Sequence, residues 1–213
     1  MRGLDWKTAI ASCLCNLGMV ATAREDYAAA EALQTESLAL WRETDSVRGI
    51  AFTLQCQGVT AQHLRNYAQA RRLHEESFAL WTTLDDDGGQ LWTLANLGAI
   101  AKEDGDLAAA AALTARALTL CVKLRDLHAL HALLAQVAGL AAGRGDAGRA
   151  VQLHAASEAV RRRSGAGLSP RDAADRERER DEARAILNPG EYELYWAVGA
   201  AMTDEQAVAL AQE

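Results

Sequence analysis

The stretch that decides the fold is LQCQGVTAQHLRNYAQARRL, residues 54–73. Four of its positions recur every 40 residues along the chain, with no insertion or deletion. The columns are Leu14, Leu54, Leu94 and Leu134; Gly18, Gly58, Gly98 and Ala138; Ala30, Ala70, Ala110 and Ala150; and Leu33, Leu73, Leu113 and Leu153. A fixed period of this length is typical of a solenoid, whose units bury a continuous core only by stacking on one another. The pattern therefore predicts a repeat protein and favours binding or regulation over catalysis.

The composition favours helix along nearly the whole chain. Half of the 213 residues are hydrophobic, and the two prolines, Pro170 and Pro189, both lie near the end. Alanine and leucine, which dominate the apolar share, lose little on entering a helix. The predicted fold class is all-α.

Charge and cysteine content exclude several classes of protein. The formal net charge is -7, whereas nucleic-acid binders draw affinity from a basic surface. No signal-peptide pattern opens the chain, and no apolar run reaches the roughly 20 residues of a membrane span. The cysteines, Cys13, Cys15, Cys56 and Cys121, lack zinc spacing and are expected to be buried small hydrophobes in a reducing cytosol. We therefore expect a cytoplasmic protein that contacts neither nucleic acid nor membrane.

Each repeat is predicted to be two antiparallel helices, A and B. In the second repeat we expect helix A from about Ser46 to Leu64 and helix B from about Tyr67 to Leu84. An aspartate or asparagine at the turn accepts hydrogen bonds from the free amides that open helix B. This position is occupied by Asp26, Asn66, Asp106 and Asp146.

Two further columns predict how the helices pack. Gly58 and Ala70 are expected to face each other, so that the two helix axes approach closely. Trp41 and Trp81 end helix B in successive repeats. We expect each ring to cover the seam with the next repeat, because a large ring buries much area.

Short sequence segments of the repeats resemble tetratricopeptide (TPR) repeats. They are Leu17-Gly18, Asp26-Tyr27 and Ala30; Asn66-Tyr67 and Ala70; and Leu97-Gly98, Gly105-Asp106-Leu107 and Ala110. The usual unit has about 34 residues; this one is longer, with Arg42, Thr82 and Val122 where the consensus proline would end helix B. The resemblance implies a right-handed α-solenoid over residues 1–163, with four helix pairs at about 5–44, 45–84, 85–124 and 125–163.

The repeat register fails after about Arg163, and residues 164–213 are predicted to be capping helices. We expect helices over Arg171–Ile186, Glu191–Ala201 and Asp204–Gln212. Basic and acidic residues alternate from Arg176 to Asp181, which predicts a solvated, ion-paired face.

The tail carries a second resemblance. Its phrases are Leu153-His154-Ala155-Ala156-Ser157-Glu158-Ala159, Gly167-Leu168-Ser169-Pro170 and Ala200-Ala201-Met202-Thr203-Asp204-Glu205-Gln206-Ala207. With the 40-residue repeats they resemble the C-terminal region of bacterial LuxR-type and STAND-type ATP-binding transcriptional regulators, in which a nucleotide-binding switch precedes a TPR sensor. The chain has no phosphate-binding glycine loop ending in Lys-Ser or Lys-Thr. The resemblance therefore implies the sensor arm, with a nucleotide-binding regulatory domain of the same or another chain as a partner.

Helix A lines the concave face of TPR arrays, so the resemblance implies where a protein or peptide ligand binds. The predicted groove consists of Asn16, Met19, Phe52, Gln55, Val59, Gln62, His63, Trp92, Asn96 and Lys102. Phe52 and Trp92 are the expected apolar anchors, because rings carry much of the energy at interfaces; alternatively, they pack between neighbouring helices. Gln55, Gln62 and Asn96 are expected to hydrogen-bond an extended peptide backbone.

No catalytic residue, cofactor or metal is predicted. The five histidines are scattered, and only His128 and His131 share a helix face, with no carboxylate placed beside them. The predicted function is non-enzymatic protein or peptide binding, as the sensor or regulatory arm of a bacterial signalling or transcriptional regulator. The alternative is an assembly element that self-associates through its apolar first repeat, where Trp6 and Ile10 lie.

Overall fold

The computed structural model describes residues 2–168 and 170–213, with side chains over residues 6–168 and 173–213. These residues form eleven α-helices and no strand, which confirms the all-α prediction. The helices are α1 (Arg2–Ala23), α2 (Tyr27–Glu43), α3 (Val47–His63), α4 (Tyr67–Thr83), α5 (Asp87–Glu103), α6 (Leu107–Leu124), α7 (Leu127–Gly143), α8 (Ala147–Ser164), α9 (Pro170–Ile186), α10 (Pro189–Ala200) and α11 (Asp204–Gln212). The chain divides into two compact units, unit 1 (Met1–Ile100) and unit 2 (Ala101–Glu213).

The helix boundaries follow the 40-residue period of the sequence. Each helix B begins directly after an aspartate or asparagine whose side chain accepts a hydrogen bond from the backbone amide three residues further on. These N-caps are Asp26, Asn66, Asp106 and Asp146. The residue before each cap is left-handed, with φ of +80° at Gly105 and +82° at Gly145. The predicted turn is confirmed in all four helix pairs.

In unit 1 the glycine of helix A makes room for a polar side chain of helix B. A Cβ at Gly58 would lie 2.6 Å from the His74 ring, and one at Gly18 would lie 2.7 Å from Cγ of Gln34. Both polar side chains are fully buried. His74 therefore occupies the place opposite Gly58 where we expected Ala70.

Ala70 instead belongs to the contact between successive helix pairs. It forms a buried cluster with Ala61 of α3 and Ile100 of α5. One period before Ile100, Thr60 lies 2.9 Å from the hydroxyl of Thr22 and donates to the Gln34 side chain at 3.1 Å. The same column of the repeat thus contacts the preceding pair through hydrogen bonds in α3 and through apolar packing in α5.

The two tryptophans at the end of helix B close the joint with the next helix A, as predicted. A Cβ at Gly49 would overlap the ring of Trp41, and one at Gly89 would overlap the ring of Trp81. The Trp81 ring is 4% exposed, and its Nε1 donates to Oε1 of Gln55 at 3.2 Å. A glycine in the first turn of helix A is therefore the counterpart of each ring.

Replacing Gly89 by alanine tests this joint. We expect Gly89→Ala to lower the free energy of unfolding by about 1–3 kcal/mol, because the added methyl group overlaps the Trp81 ring. Gly88→Ala is the matched control: its Cβ would lie 3.4 Å from Oδ1 of Asp86, and alanine is the better helix former. Urea unfolding of both variants measures the difference. Equal stability of the two variants would contradict the proposed packing.

The buried imidazole of His74 makes unit 1 sensitive to acid. Burial lowers the pKa of His74 from its usual 6.5 to about 4. The folded state therefore binds fewer protons than the unfolded chain between these values, so its stability is complete above pH 6.5 and falls towards pH 4.

We expect His74→Gln to flatten this pH dependence, because glutamine is the residue at the equivalent position, Gln34. Between pH 7 and pH 4 the wild type should lose about 2–3 kcal/mol more than the variant. Urea unfolding at half-unit pH steps measures the two profiles. Parallel profiles would contradict the assignment to His74.

Unit 2 packs α7 against α8 and covers α8 with the C-terminal helices. Leu140 of α7 packs on Ala101 and Ala110. Gly199 of α10 lies directly on the backbone of Gln152, and Arg149 donates to the carbonyl of Leu210 at 2.9 Å. The predicted capping helices are confirmed, with Asn188 and Thr203 as N-caps of α10 and α11. The predicted domain boundary at residue 163 stays a prediction.

One helix among the described residues, α6, is long and apolar enough to cross a membrane by length and composition. It buries Ala110, Thr114, Ala117, Leu118 and Cys121 within the fold. Its opposite side exposes Arg116 and Lys123. Core helices of other proteins pass the same test, so α6 by itself is weak support for a membrane span.

Candidate protein-binding surface

The predicted groove falls mostly within unit 1. Asn16 and Met19 lie on α1, whereas α3 carries a set of five residues and α5 carries the rest. The α3 set is Phe52, Gln55, Val59, Gln62 and His63. Trp92 and Asn96 are in the part of α5 that belongs to unit 1, and Lys102 lies in unit 2. The structure thus gathers nine of the ten predicted residues on the A helices of one compact unit.

The exposed part of the groove in unit 1 is uncharged and consists of two apolar side chains and one amide. Met19 is 45% exposed and Phe52 is 37% exposed, and Asn16 is also exposed. Val59 and Trp92 are half-buried. The partial burial of Trp92 is consistent with packing between helices as well as with a contact surface. Met19 and Phe52 are therefore the most accessible apolar side chains of the predicted groove.

The three amides that were expected to bind a peptide backbone, Gln55, Gln62 and Asn96, already bind other parts of the fold. Oε1 of Gln55 accepts from Trp81, and Oε1 of Gln62 lies 3.0 Å from Nε2 of His74. Nδ2 of Asn96 donates to the backbone carbonyl of Trp92 at 2.9 Å. These contacts fix the orientation of the amides. Their predicted role in binding a peptide backbone stays a prediction.

His63 lies at the C-terminal end of α3. Its ring stacks on Tyr27, the first residue of α2, with the centroids 5.9 Å apart. Stacking with an aromatic side chain gives His63 a packing role in unit 1.

In unit 2 the chain covers the equivalent helix-A face with its own helix α9. Nζ of Lys102 lies 2.7 Å from Oε1 of Glu179, and Nε2 of His154 lies 3.2 Å from Oε2. A Cβ at Gly139 would lie 2.9 Å from Oε1 of Glu179, so the glycine leaves space for this ion pair. The pKa of Glu179 falls from 4.5 to about 2, because the contacts with His154 and Lys102 outweigh the opposing effect of burial.

A second contact fixes α9 one turn earlier. Arg176 donates to the Ser157 hydroxyl at 3.3 Å and lies 3.4 Å from Nδ1 of His131. Burial, followed by the charge of Arg176, lowers the pKa of His131 to about 4. His131, which the sequence singled out beside His128, is therefore a neutral partner of α9.

The alternating charges of α9 predicted only the ion pairs on the outer side of the helix. The predicted solvated ion pairs are present: Arg178 with Asp175, Arg180 with Glu177, and Arg184 with Asp181. Arg176 and Glu179, which belong to the same run, face α7 and α8 instead. The available signal was Ala183, which continues their spacing of three and four residues and is 3% exposed.

Two family models, both described as tetratricopeptide repeat, match residues 49–121 and residues 10–44. The chain contains tetratricopeptide repeats. TPR repeats mediate interactions between proteins, which makes the A helices of unit 1 the surface of interest. The matched residues include all nine groove residues that lie in unit 1.

A crystal structure of BtubC (BKLC) from P. vanneervenii has a similar fold. The two chains are 16% identical, with a TM-score of 0.65, and the match covers 96% of this chain and 80% of that one. At this identity the likeness shows the fold alone. A search of curated proteins gives no significant match.

Glu179→Gln tests how strongly α9 is held on α7 and α8 of unit 2. The folded-state pKa of Glu179 lies below its usual 4.5, so its contribution is complete above that pH and is lost as the pH falls towards 2. We expect the variant to be about 2 kcal/mol less stable at pH 7, because a buried ion pair loses one partner. At pH 3 this difference should shrink.

The matched control is Glu182→Gln on the exposed side of α9, where the side chain is 62% exposed. It should change stability by less than about 0.5 kcal/mol. Urea unfolding of both variants at pH 7 and pH 3 provides the comparison. A pH-independent loss for Glu179→Gln would show that the charge does not hold α9.

Proposed function

We propose that this chain is a non-enzymatic protein-binding module, and that the A helices of unit 1 bind a segment of a partner protein. The observation that carries the proposal is that, in unit 2, the equivalent surface of helix A already binds another helix. There Gly139 of α7 lies beneath Glu179 of α9. Its counterparts in unit 1 are Met19, which is 45% exposed, and Val59 and Ala99, which are half-buried. A surface that carries a helix in one unit is a reasonable binding surface in the other.

The expected ligand is an apolar segment with little charge. Met19 and Phe52 are the exposed side chains of the surface, with Asn16 as their polar neighbour. The one cation of the predicted groove, Lys102, already pairs with Glu179 in unit 2. Recognition in unit 1 therefore rests on apolar contacts rather than on charge.

A selection experiment tests this surface. A random peptide library is displayed on phage and selected against the wild-type chain, and the enriched peptides are measured by fluorescence anisotropy. We expect Phe52→Ala to weaken their binding at least tenfold, because a ring at the centre of an interface is worth more than about 1.4 kcal/mol.

Leu64→Ala is the matched control, because Leu64 is 45% exposed in unit 1 but lies outside the predicted groove. Binding to this variant should equal that of the wild type. Peptides that bind the Phe52→Ala variant as tightly as the wild type would show that the surface lies elsewhere.

We further propose that the module acts in the cytoplasm as the sensor or regulatory arm of a bacterial signalling or transcriptional regulator. The support is the resemblance of the tail phrases around Leu153–Ala159 and Ala200–Ala207 to such regulators. In this setting the partner is a nucleotide-binding domain of the same or another chain. An isolated nucleotide-binding domain that binds the wild type but not the Phe52→Ala variant would support the assignment, and equal binding to both would argue against this surface.

A second candidate function is self-association through the outer face of α1. Trp6, Ile10, Leu17 and Val20 are 71%, 46%, 54% and 48% exposed and, with exposed Cys13, follow a spacing of four and three residues. Later repeats bury this face. The counterparts of Cys13 are Thr53, Thr93 and Leu133, and those of Val20 are Thr60, Ile100 and Leu140, all at most 3% exposed.

The occupant we propose for this face is a second copy of the chain. In later repeats, the equivalent face of helix A packs against the preceding helix pair. In unit 2, α10 and α11 cover the last helix pair, so that pair is not available for a head-to-tail contact. Two copies that meet through the same face form a closed dimer.

Light scattering over a wide concentration range tests the dimer. We expect Trp6→Glu to shift the molar mass from dimer to monomer, because a carboxylate would be buried in the contact. Leu194→Glu is the control, since Leu194 is 62% exposed on α10. A wild-type chain that stays monomeric at high concentration would rule this function out.

A further inference from the structure

Two buried cysteines meet between the first two A helices of unit 1. Cys15 of α1 and Cys56 of α3 are 1% and 7% exposed, and their Sγ atoms lie 3.7 Å apart. Both are free thiols. They stand next to each other in space although 41 positions separate them in the sequence. The repeat does not require this pair. The positions equivalent to Cys15 hold Gln55, Ala95 and Ala135, and those equivalent to Cys56 hold Asn16, Asn96 and Gln136.

The surroundings of the pair favour a reactive thiol. The Thr53 hydroxyl, fully buried, donates to Sγ of Cys15 at 3.6 Å, and the Ser37 hydroxyl lies 3.4 Å from that of Thr53. Hydrogen bonding with Cys56, and then with Thr53 and Ser37, lowers the pKa of Cys15 against the effect of burial. The pKa of Cys56 is raised by its contact with Cys15 and by burial. Cys15 is therefore the thiol of the pair that ionises first.

We propose that Cys15 and Cys56 form a redox modification site, in which a peroxide converts the two thiols into a disulfide that joins α1 to α3. The Sγ atoms need to close by about 1.7 Å to reach the roughly 2.0 Å of a disulfide bond. This inference is independent of the binding function proposed above.

The chemistry requires one equivalent of hydrogen peroxide. The Cys15 thiolate attacks one peroxide oxygen, the O–O bond breaks, and hydroxide leaves, which gives a sulfenic acid. The Cys56 sulfur then attacks the sulfur of Cys15, and the Cys56 proton leaves with the hydroxyl group as water. In total, two thiols and one peroxide give one disulfide and two waters.

A small oxidant reaches the pair through a local opening of α1. This helix packs on α2 and α3, while its opposite face, with Trp6 and Leu17, is exposed. A helix that is covered on one side opens more readily than one in the middle of a core. Once formed, the disulfide closes a long loop and holds the helix of Asn16 to the helix of Gln55.

The test uses the full chain with Cys13→Ser, which removes the exposed thiol and prevents crosslinks between chains. After treatment with one to five equivalents of hydrogen peroxide, free thiols are blocked with N-ethylmaleimide in denaturant and the protein is digested. Before alkylation, the intact mass of the treated chain should be about 2 Da lower than that of the untreated chain. After alkylation and digestion we expect one peptide pair joining Cys15 to Cys56 and a single alkylated cysteine, Cys121. The melting temperature should rise by about 5–10 °C and return with dithiothreitol.

Cys15→Ala in the same background should abolish the crosslink and the shift in melting temperature, since Ala95 and Ala135 show that the repeat accepts alanine there. Cys121→Ser is the matched control for a buried thiol and should leave both effects intact. Alkylation of both Cys15 and Cys56 after peroxide treatment of the parent chain would overturn the proposal, as would their conversion to sulfinic acids. The parent chain alone decides this outcome, even where a variant folds poorly.

Discussion

The fold of unit 1 depends on one contact that recurs in the first two helix pairs, in which a glycine of helix A lies against a polar side chain of helix B. Gly18 lies against Gln34, and Gly58 lies against His74. A fully buried amide or imidazole needs a hydrogen-bond partner, which Thr60 provides for Gln34 and Gln62 provides for His74. The glycine sets how closely the helices approach, and the hydrogen bond sets their rotation. The way these two helix pairs pack follows from this geometry.

The repeat gives the chain several similar faces, and the side chains give each of them a different use. On α7 the surface beneath α9 holds a glycine beside an ion pair, so a charged helix binds there. On α1 and α3 the same column holds Met19 and Val59, which suit an apolar contact. Between these two helices the buried Cys15 and Cys56 replace the alanine and amide of later repeats. The ion pair, the apolar surface and the thiol pair therefore each occur where one repeat differs in sequence from the others.

The local structure could be predicted because its signals lie within a few residues. Asn66 and Asp106 predicted the start of helix B, since an N-cap bonds to an amide three residues away. The partner of Gly58 was predicted wrongly as Ala70, because both Ala70 and His74 lie on one face of α4 and the pattern does not give the rotation of the helix. Arg176 and Glu179 were missed because the charge pattern of α9 is the same on its inner and outer sides.

The amino-acid sequence by itself determined the all-α class, the 40-residue period, the helix pairs and their caps. These depend on propensity and spacing along the chain, which a one-dimensional pattern contains. Only the tertiary structure decided that Lys102 pairs with Glu179, that Gln55 binds Trp81, and that Cys15 meets Cys56. These contacts join residues 26 to 77 positions apart, so they form only when the helices pack against one another.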